Sequence, residues 1–207
     1  MYKLYIFIKN LINKIKSFFI KIVLILIKVK VGRNFYCPVF PELKLNGLPQ
    51  NVIIGNNVSF FGKVDLRNRE NGKINIKDNV KIEGNSRLVS AKEGIIEINE
   101  NTVITTGAII NGGGNVIIGK NCILGPNNII NANDHKISVK NKIIEREFEY
   151  GDVLIEDDCW TGAFVSIKKN VKIQKGSVIG AHSFVTKDTL PNSINYGVPS
   201  KYIKNRS

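Results

Sequence analysis

From Ile155 to Val185 an aliphatic residue, or Thr161 in its place, returns every six positions: Ile155, Thr161, Ile167, Ile173, Ile179 and Val185. A period of six fits neither the 3.6-residue turn of a helix nor the two-residue alternation of a lone strand. The same spacing runs back along the chain in triplets: Ile118, Leu124 and Ile130; Ile98, Ile104 and Ile110; Ile76, Ile82 and Leu88; Ile54, Phe60 and Leu66. Four residues behind most of these leads stands a compact side chain, among them Val58, Val80, Ser86, Thr102, Ala108, Cys122, Cys159, Val165 and Ser177. Both positions are expected to face inward. Three hexads make one coil, and each coil lays short strands about 4.8 Å above those of the coil before. A single flat coil cannot bury its inward row, but a stack can. The reading is therefore all-β: a parallel β-helix of triangular section with about six coils. A doubly wound sheet is excluded, because no helical segment of crossover length follows residue 45.

The coil starts, at 54, 76, 98, 118, 155 and 173, are not evenly spaced. The wider steps leave room for small loops at Arg67 to Lys73 and at Ser90 to Ile95. The step from 118 to 155 leaves a long excursion near 136–152, and a protruding loop in a repeat array is more often functional than structural. The organisation that follows is a helix and lead-in over 1–45, the β-helix over 46–190 and a C-terminal tail over 191–207. Length fits one main domain.

Charge is concentrated at one end. The chain carries a net +13, and residues 1–41 hold eight cations and no acid. Within that segment Lys3, Asn10, Lys14, Ser17, Lys21 and Lys28 follow helical spacing. Ile6, Phe7, Leu11, Ile15, Phe18, Phe19, Ile22 and Ile25 fill most of the rest, which makes a cationic amphipathic helix. Its longest uncharged apolar run, Ile22 to Ile27, is too short to span a bilayer, and no small-residue cleavage site marks a signal peptide. Two uses of residues 1–30 stay open: an anchor lying on an anionic cytoplasmic leaflet, or a cap over the open end of the β-helix. No nucleic-acid recognition motif accompanies the basic charge, so no nucleic-acid partner is expected.

The three cysteines have no zinc or disulfide spacing, which fits a reducing compartment. Cys122 and Cys159 fall in the compact inward slot and read as packing residues. The two histidines, His135 and His182, are too few for a three-histidine zinc site, and no metal is expected. His135 ends a hexad just before the excursion, at a corner. Imidazole there is suited to accept a proton from a hydroxyl or amine nucleophile. The run Asn111 to Asn115 makes a tight corner one coil earlier. It is read either as a plain turn or as part of an acceptor site.

Four stretches are more specific: Asp157 to Ala163 (Asp-Asp-Cys-Trp-Thr-Gly-Ala), Val178 to Ala181, Val185 to Asp188, and Gly197 to Lys204. Together they resemble the C-terminal signature of hexapeptide-repeat acyltransferases, and most of all the maltose and galactoside acetyltransferase group and the O-acetyltransferases of capsule and O-antigen clusters. The resemblance implies a left-handed β-helix, a homotrimer, and acetyl-CoA as co-substrate in grooves between neighbouring columns. It also implies that His135 is the general base. Trp160 matches the aromatic walling the acceptor and thioester region, with Asn111 a further candidate substrate contact. Gly162, Ala163, Gly180 and Ala181 match small residues along the pantetheine path, with a backbone N–H near Gly162 or Ala163 as oxyanion donor. Thr186, Lys187, Pro199, Lys201 and Lys204 match positions around the adenine and phosphates. Thr161, His182 and Tyr196 depart from the family pattern.

The function this implies is an acetyl-CoA-dependent O-acetyltransferase of a sugar hydroxyl in cell-surface polysaccharide assembly. The acceptor is a sugar or glycan, lipid-linked forms included, and the expected location is the cytoplasm, with peripheral contact on the inner face of the membrane. Two alternatives stand beside it: an N-acetyltransferase of a nucleotide-linked amino sugar, and a catalytically silent β-helix scaffold.

Overall fold

The structure, a computed structural model, describes residues 1–206 apart from 138, 140, 141, 143, 145 and 146. The hexads wind into a column with three parallel faces. Face A stacks 30–31, 52–54, 73–76, 95–98, 116–118, 153–155 and 171–173. Face B stacks 59–61, 81–83, 103–104, 123–124, 160–161, 178–179 and 193–197, and closes on the antiparallel strand 200–205. Face C stacks 42–45, 65–68, 87–90, 109–111, 129–131, 166–167 and 184–185. This is the β-helix expected from the period.

It has seven turns, one more than the hexads count. The additional turn, residues 30–45, lies in the stretch read as lead-in. Its face-B segment makes only a single bridge, Tyr36 to Ser59. Pro38 and Pro41 interrupt it and can donate no ladder hydrogen bond, so the six-residue rhythm is lost there while the winding continues.

Every lead residue is inward. On face A, Ile54, Ile76, Ile98, Ile118, Ile155 and Ile173 stand in register as one column, and each is at most 2% exposed. The compact slot is buried as well, Cys122 and Cys159 included. Thr161 fills its inward place with a buried hydroxyl that makes no hydrogen bond. It therefore packs as a valine-shaped residue.

The corners explain the asparagines between hexads. Asn57, Asn79, Asn101 and Asn121 all take positive φ where face A turns into face B, as does Asn34 at the first turn. Asparagine tolerates this left-handed conformation better than branched residues do. Their amides hydrogen-bond from turn to turn at 3.0–3.1 Å, forming a ladder from Asn34 to Asn121.

The N-terminal helix α1, Tyr2–Leu26, lies against the first turn. It buries Ser17, Ile20 and Leu24. The Ser17 hydroxyl accepts from the Cys37 N–H at 2.8 Å, and Lys21 Nζ donates to the Gly32 carbonyl at 2.6 Å. The helix thus covers the end of the column, as the capping alternative expects. The side turned away from the column is apolar and exposed, with Leu4, Phe7, Leu11, Ile15, Phe18 and Ile22 on it. Among the described residues no helix is long and apolar enough to cross a membrane.

Candidate active site

After strand 129–131 on face C the chain leaves the column and forms an antiparallel hairpin of 133–135 with 148–150. Its register is Asn133 to Tyr150, Asp134 to Glu149 and His135 to Phe148. Side chains alternate along a strand. His135, Asn133, Phe148 and Tyr150 therefore share one side of the hairpin, and Asp134 and Glu149 share the other. Asp134 is thereby excluded as the partner that orients His135.

Each side has its own task. Glu149 accepts from Lys169, a lysine only 7% exposed beside the column, and this pair ties the hairpin down. The bond to Lys169 also holds the Glu149 carboxyl below its usual range. On the opposite side the His135 ring lies 4.4 Å from the Phe148 ring, which stacks in turn on Tyr150 at 6.2 Å. Tyr150 rests over Gly113, where a Cβ would come within 2.6 Å of the tyrosine ring, at a φ of +157°. The glycine run after Asn111 is therefore a seat for the hairpin.

Asn111, Gly112, Asn133, Phe148 and Tyr150 line a cavity of 340 Å³. Asn111 Nδ2 donates to Asn131 at 2.8 Å, and Asn133 Nδ2 to the Gly112 carbonyl at 3.1 Å. A second cavity, of 440 Å³, lies across Tyr150 on face A. Two of its carboxylates, Asp152 and Asp188, already accept from the backbone N–H groups of Asn115 and Lys172. With its acids so engaged and His135 on the other side, it is the weaker candidate.

The remaining sequence-predicted residues lie elsewhere. Trp160 is 53% exposed on face B, in register between Ile123 and Val178. Gly162, Ala163, Gly180 and Ala181 form the corner where face B passes into face C. A Cβ on Gly162 would lie 2.6 Å from the Ala181 nitrogen, and one on Gly180 2.8 Å from the Tyr196 Cβ. Close stacking of turns therefore requires these glycines whether or not a ligand runs past them. The Gly162 N–H is taken by the Ile179 carbonyl at 2.8 Å. Of the two oxyanion donors considered, only that of Ala163 is left. Pro199, Lys201 and Lys204 belong to the terminal hairpin on face B, whereas Thr186 and Lys187 follow the last strand of face C. His135 and the Gly162 corner thus flank opposite edges of face C, and one chain does not bring them together.

His182 stacks on Phe164 at that corner, with ring centroids 4.9 Å apart and 11° between planes. Both have φ near +58° and both are exposed. Asn85 and Asn127 fill the equivalent place in earlier turns. Burial pushes the Cys37 thiol up to about 12. In the buried pair, the hydrogen bond between the two thiols and then burial raise Cys159, while the same bond lowers Cys122.

Sequence reasoning missed Arg67, Arg69, Arg87, Lys92 and the aromatic pair Phe148 and Tyr150, all of which line the cavity. The signal for Arg67, Arg69 and Lys92 was the extra length at 67–73 and 90–95; Arg87 opens a regular face-C strand, and Phe148 and Tyr150 lie on the return strand of the excursion.

Comparison with known proteins agrees with this architecture. Residues 152–187 match the family model described as bacterial transferase hexapeptide (six repeats). Over these residues the match agrees with the six-residue repeat and the parallel β-helix it winds into. Over 56 residues the chain is 46% identical to a chloramphenicol acetyltransferase of Morganella morganii, a stretch that covers 27% of each protein. The chain thus matches about a quarter of that relative's length. Among solved structures it resembles the polysialic acid O-acetyltransferase OatWY, with 26% identity, a TM-score of 0.61 and coverage of 86% of this chain and 88% of that one. An AntD N-acyltransferase variant from Bacillus cereus, solved with dTDP-4-amino-4,6-dideoxyglucose and coenzyme A, shares the fold at 19% identity, with a TM-score of 0.53 and coverage of 90% and 89%.

Proposed function

We propose that the protein is an acetyl-CoA-dependent O-acetyltransferase that modifies a sugar hydroxyl in cell-surface polysaccharide assembly, with His135 as general base. The observation that carries this reading is the hairpin. It sets the imidazole against Phe148, whose ring lines a cavity together with Tyr150, Asn111, Asn133 and several cations, and the amides and rings suit the hydroxyls and C–H faces of a sugar. The likeness to a polysialic acid O-acetyltransferase supports a glycan acceptor, and the match to a chloramphenicol acetyltransferase supports acetyl-CoA as donor.

In this mechanism His135 takes the hydroxyl proton as the oxygen bonds to the thioester carbonyl carbon. The C–S bond then breaks, and the departing thiolate recovers the proton from the imidazolium. The Ala163 N–H is the proposed donor to the developing oxyanion. Because His135 and Ala163 flank opposite edges of face C, the complete site needs the Ala163 corner of a neighbouring copy. This favours a homotrimer with three shared sites. Trp160 would wall the thioester end, with Gly162, Gly180 and Ala181 along the pantetheine path. Thr186, Lys187, Pro199, Lys201 and Lys204 would meet the nucleotide end.

The test is acceptor-stimulated CoA release. General-base assistance typically contributes about 10² to 10⁴ in rate, so His135→Ala should lose activity in that range while remaining folded. Equal release by both proteins removes His135 from the mechanism. Assaying hydroxyl and amino-sugar acceptors side by side separates O- from N-acetyl transfer.

The exposed side of α1 supports peripheral attachment to the inner face of the cytoplasmic membrane, where lipid-linked acceptors are presented. Its apolar arc is flanked by Lys3, Lys14 and Lys21 on one side and Lys9 and Lys16 on the other, the pattern of a helix lying in an anionic interface. Vesicles of anionic lipid should retain the full chain and release one carrying Leu11→Ser, Phe18→Ser and Ile22→Ser. Retention of both would contradict the attachment.

A further inference from the structure

The cavity lined by Phe148 and Tyr150 of the hairpin carries an excess of positive charge. Four cations, Arg67, Arg69, Arg87 and Lys92, line it against a single carboxylate, Glu70. Two of the cations are already neutralised. Arg67 donates from Nε to Asp65 at 2.9 Å, and Lys92 lies 3.3 Å from Glu70. Arg69 and Arg87 have no carboxylate within ion-pair distance among the described residues. Arg87 Nε is in addition buried without any hydrogen-bond acceptor. A charged N–H hidden from water with nothing to receive it is costly to retain, and such groups call for an explanation. An anionic oxygen supplies one, since guanidinium pairs with carboxylate and phosphate through parallel N–H bonds.

We infer that the acceptor carries a carboxylate or phosphate, held by Arg87 and Arg69 while the hydroxyl to be acetylated lies at His135. The spacing fits. Arg87 stands one turn below Ile109 and two below Ile129, whose strand leads into the hairpin. Two ladder steps set Arg87 about 10 Å from Ile129 along the column axis, and Arg87 lines one cavity with Phe148, the ring that packs on His135. Asn111 and Asn133 face the interval between, and Phe148 and Tyr150 form its wall. Arg67, Arg69 and Lys92 come from the two stretches that widen the coil spacing, and Arg87 opens the face-C strand between them.

This inference rests on the acyl-transfer reading of the site, so its test measures binding as well as turnover. Three probes are compared: an oligosaccharide of carboxylated sugars, its neutral methyl ester, and a nucleoside diphosphate linked to a neutral sugar. For the full-length protein we expect the carboxylated or the phosphorylated probe to bind at least tenfold more tightly than the methyl ester, with the gap narrowing as salt rises. Whichever of the two binds identifies the source of the anion. Arg87→Gln and Arg69→Gln should each weaken binding of that probe about 10- to 100-fold, the loss expected for one charge-assisted contact. Binding of the ester should stay unchanged. The exposed Arg69 keeps the test valid should the Arg87 variant fold poorly. Equal binding of all three probes, or arginine variants that leave the preference intact, overturns the inference. Arginine-dependent binding with no acetyl transfer to any probe would leave the anion site standing and remove the acyltransferase reading. Transfer to the neutral ester that ignores both arginines would do the reverse.

Discussion

The edge where face A turns into face B and the edge where face C returns to face A are built on opposite principles. At the first, each turn repeats the last. Asn57, Asn79, Asn101 and Asn121 take the same left-handed conformation and bond one to the next. At the second nothing repeats: insertions at 67–73 and 90–95 and the excursion after 132 bring in Arg69, Lys92, His135 and Tyr150. The regular edge satisfies its polar groups with its own neighbours. Among the described residues the irregular edge leaves Arg69 without an ion pair, and it is there that the proposed acceptor would bind.

If the division is real, substitutions in the regular part should cost stability, and those at the irregular edge should cost turnover. The largest effect is expected inside the column. Ile110 is fully buried, and Ile110→Ala should lose about 2–5 kcal/mol in a denaturant titration. A loss below about 1 kcal/mol would mean that the inward rows do not hold the column together.

The second prediction falls on the irregular edge. Gly113→Ala puts a methyl group against the Tyr150 ring, displacing the hairpin that carries His135. Misplacing a catalytic group by about 1 Å can cost up to about 10²-fold in rate, so kcat should fall roughly tenfold to a hundredfold while the melting temperature moves little. A fall in melting temperature with kcat intact would erase the distinction between the edges.

The smallest effect is pH-dependent and belongs to the regular edge. The Asp78 carboxyl is held below its ordinary range, first by the Asn56 side-chain amide and then by the Asn56 backbone N–H. A lowered carboxyl stabilises the fold above its unfolded pKa, about 3.9 for aspartate. That contribution disappears as the pH falls through the lower folded value. Asp78→Asn should flatten this part of the acid unfolding curve. An unchanged curve would remove Asp78 from the balance.

What could be read from the sequence follows the same division. The period located every inward lead from Ile54 to Val185, because one residue type must return wherever the chain points at the axis. It missed the turn at 30–45, where Pro38 and Pro41 break the rhythm while Val29, Phe35 and Cys37 still fill the core. His135 stood out as a rare side chain at an insertion, and the ring it packs on, Phe148, lines the cavity. Arg87 did not stand out. An outward arginine on a strand looks like any solvated residue until Phe148 and Tyr150 are seen to line the same cavity. Gly162 and Gly180 resembled ligand contacts, yet the approach of neighbouring turns accounts for them. The exposed stack of Phe164 and His182 breaks the asparagine pattern of its corner, and only the dihedral angles reveal it.

The most direct test is a crystal structure of the protein with coenzyme A and an anionic acceptor. The proposal expects the thiol beside the Gly162 corner of one copy, the acceptor hydroxyl within about 3 Å of His135 from its neighbour, and the acid group against Arg87. Coenzyme A bound in a cleft that excludes His135 would contradict it.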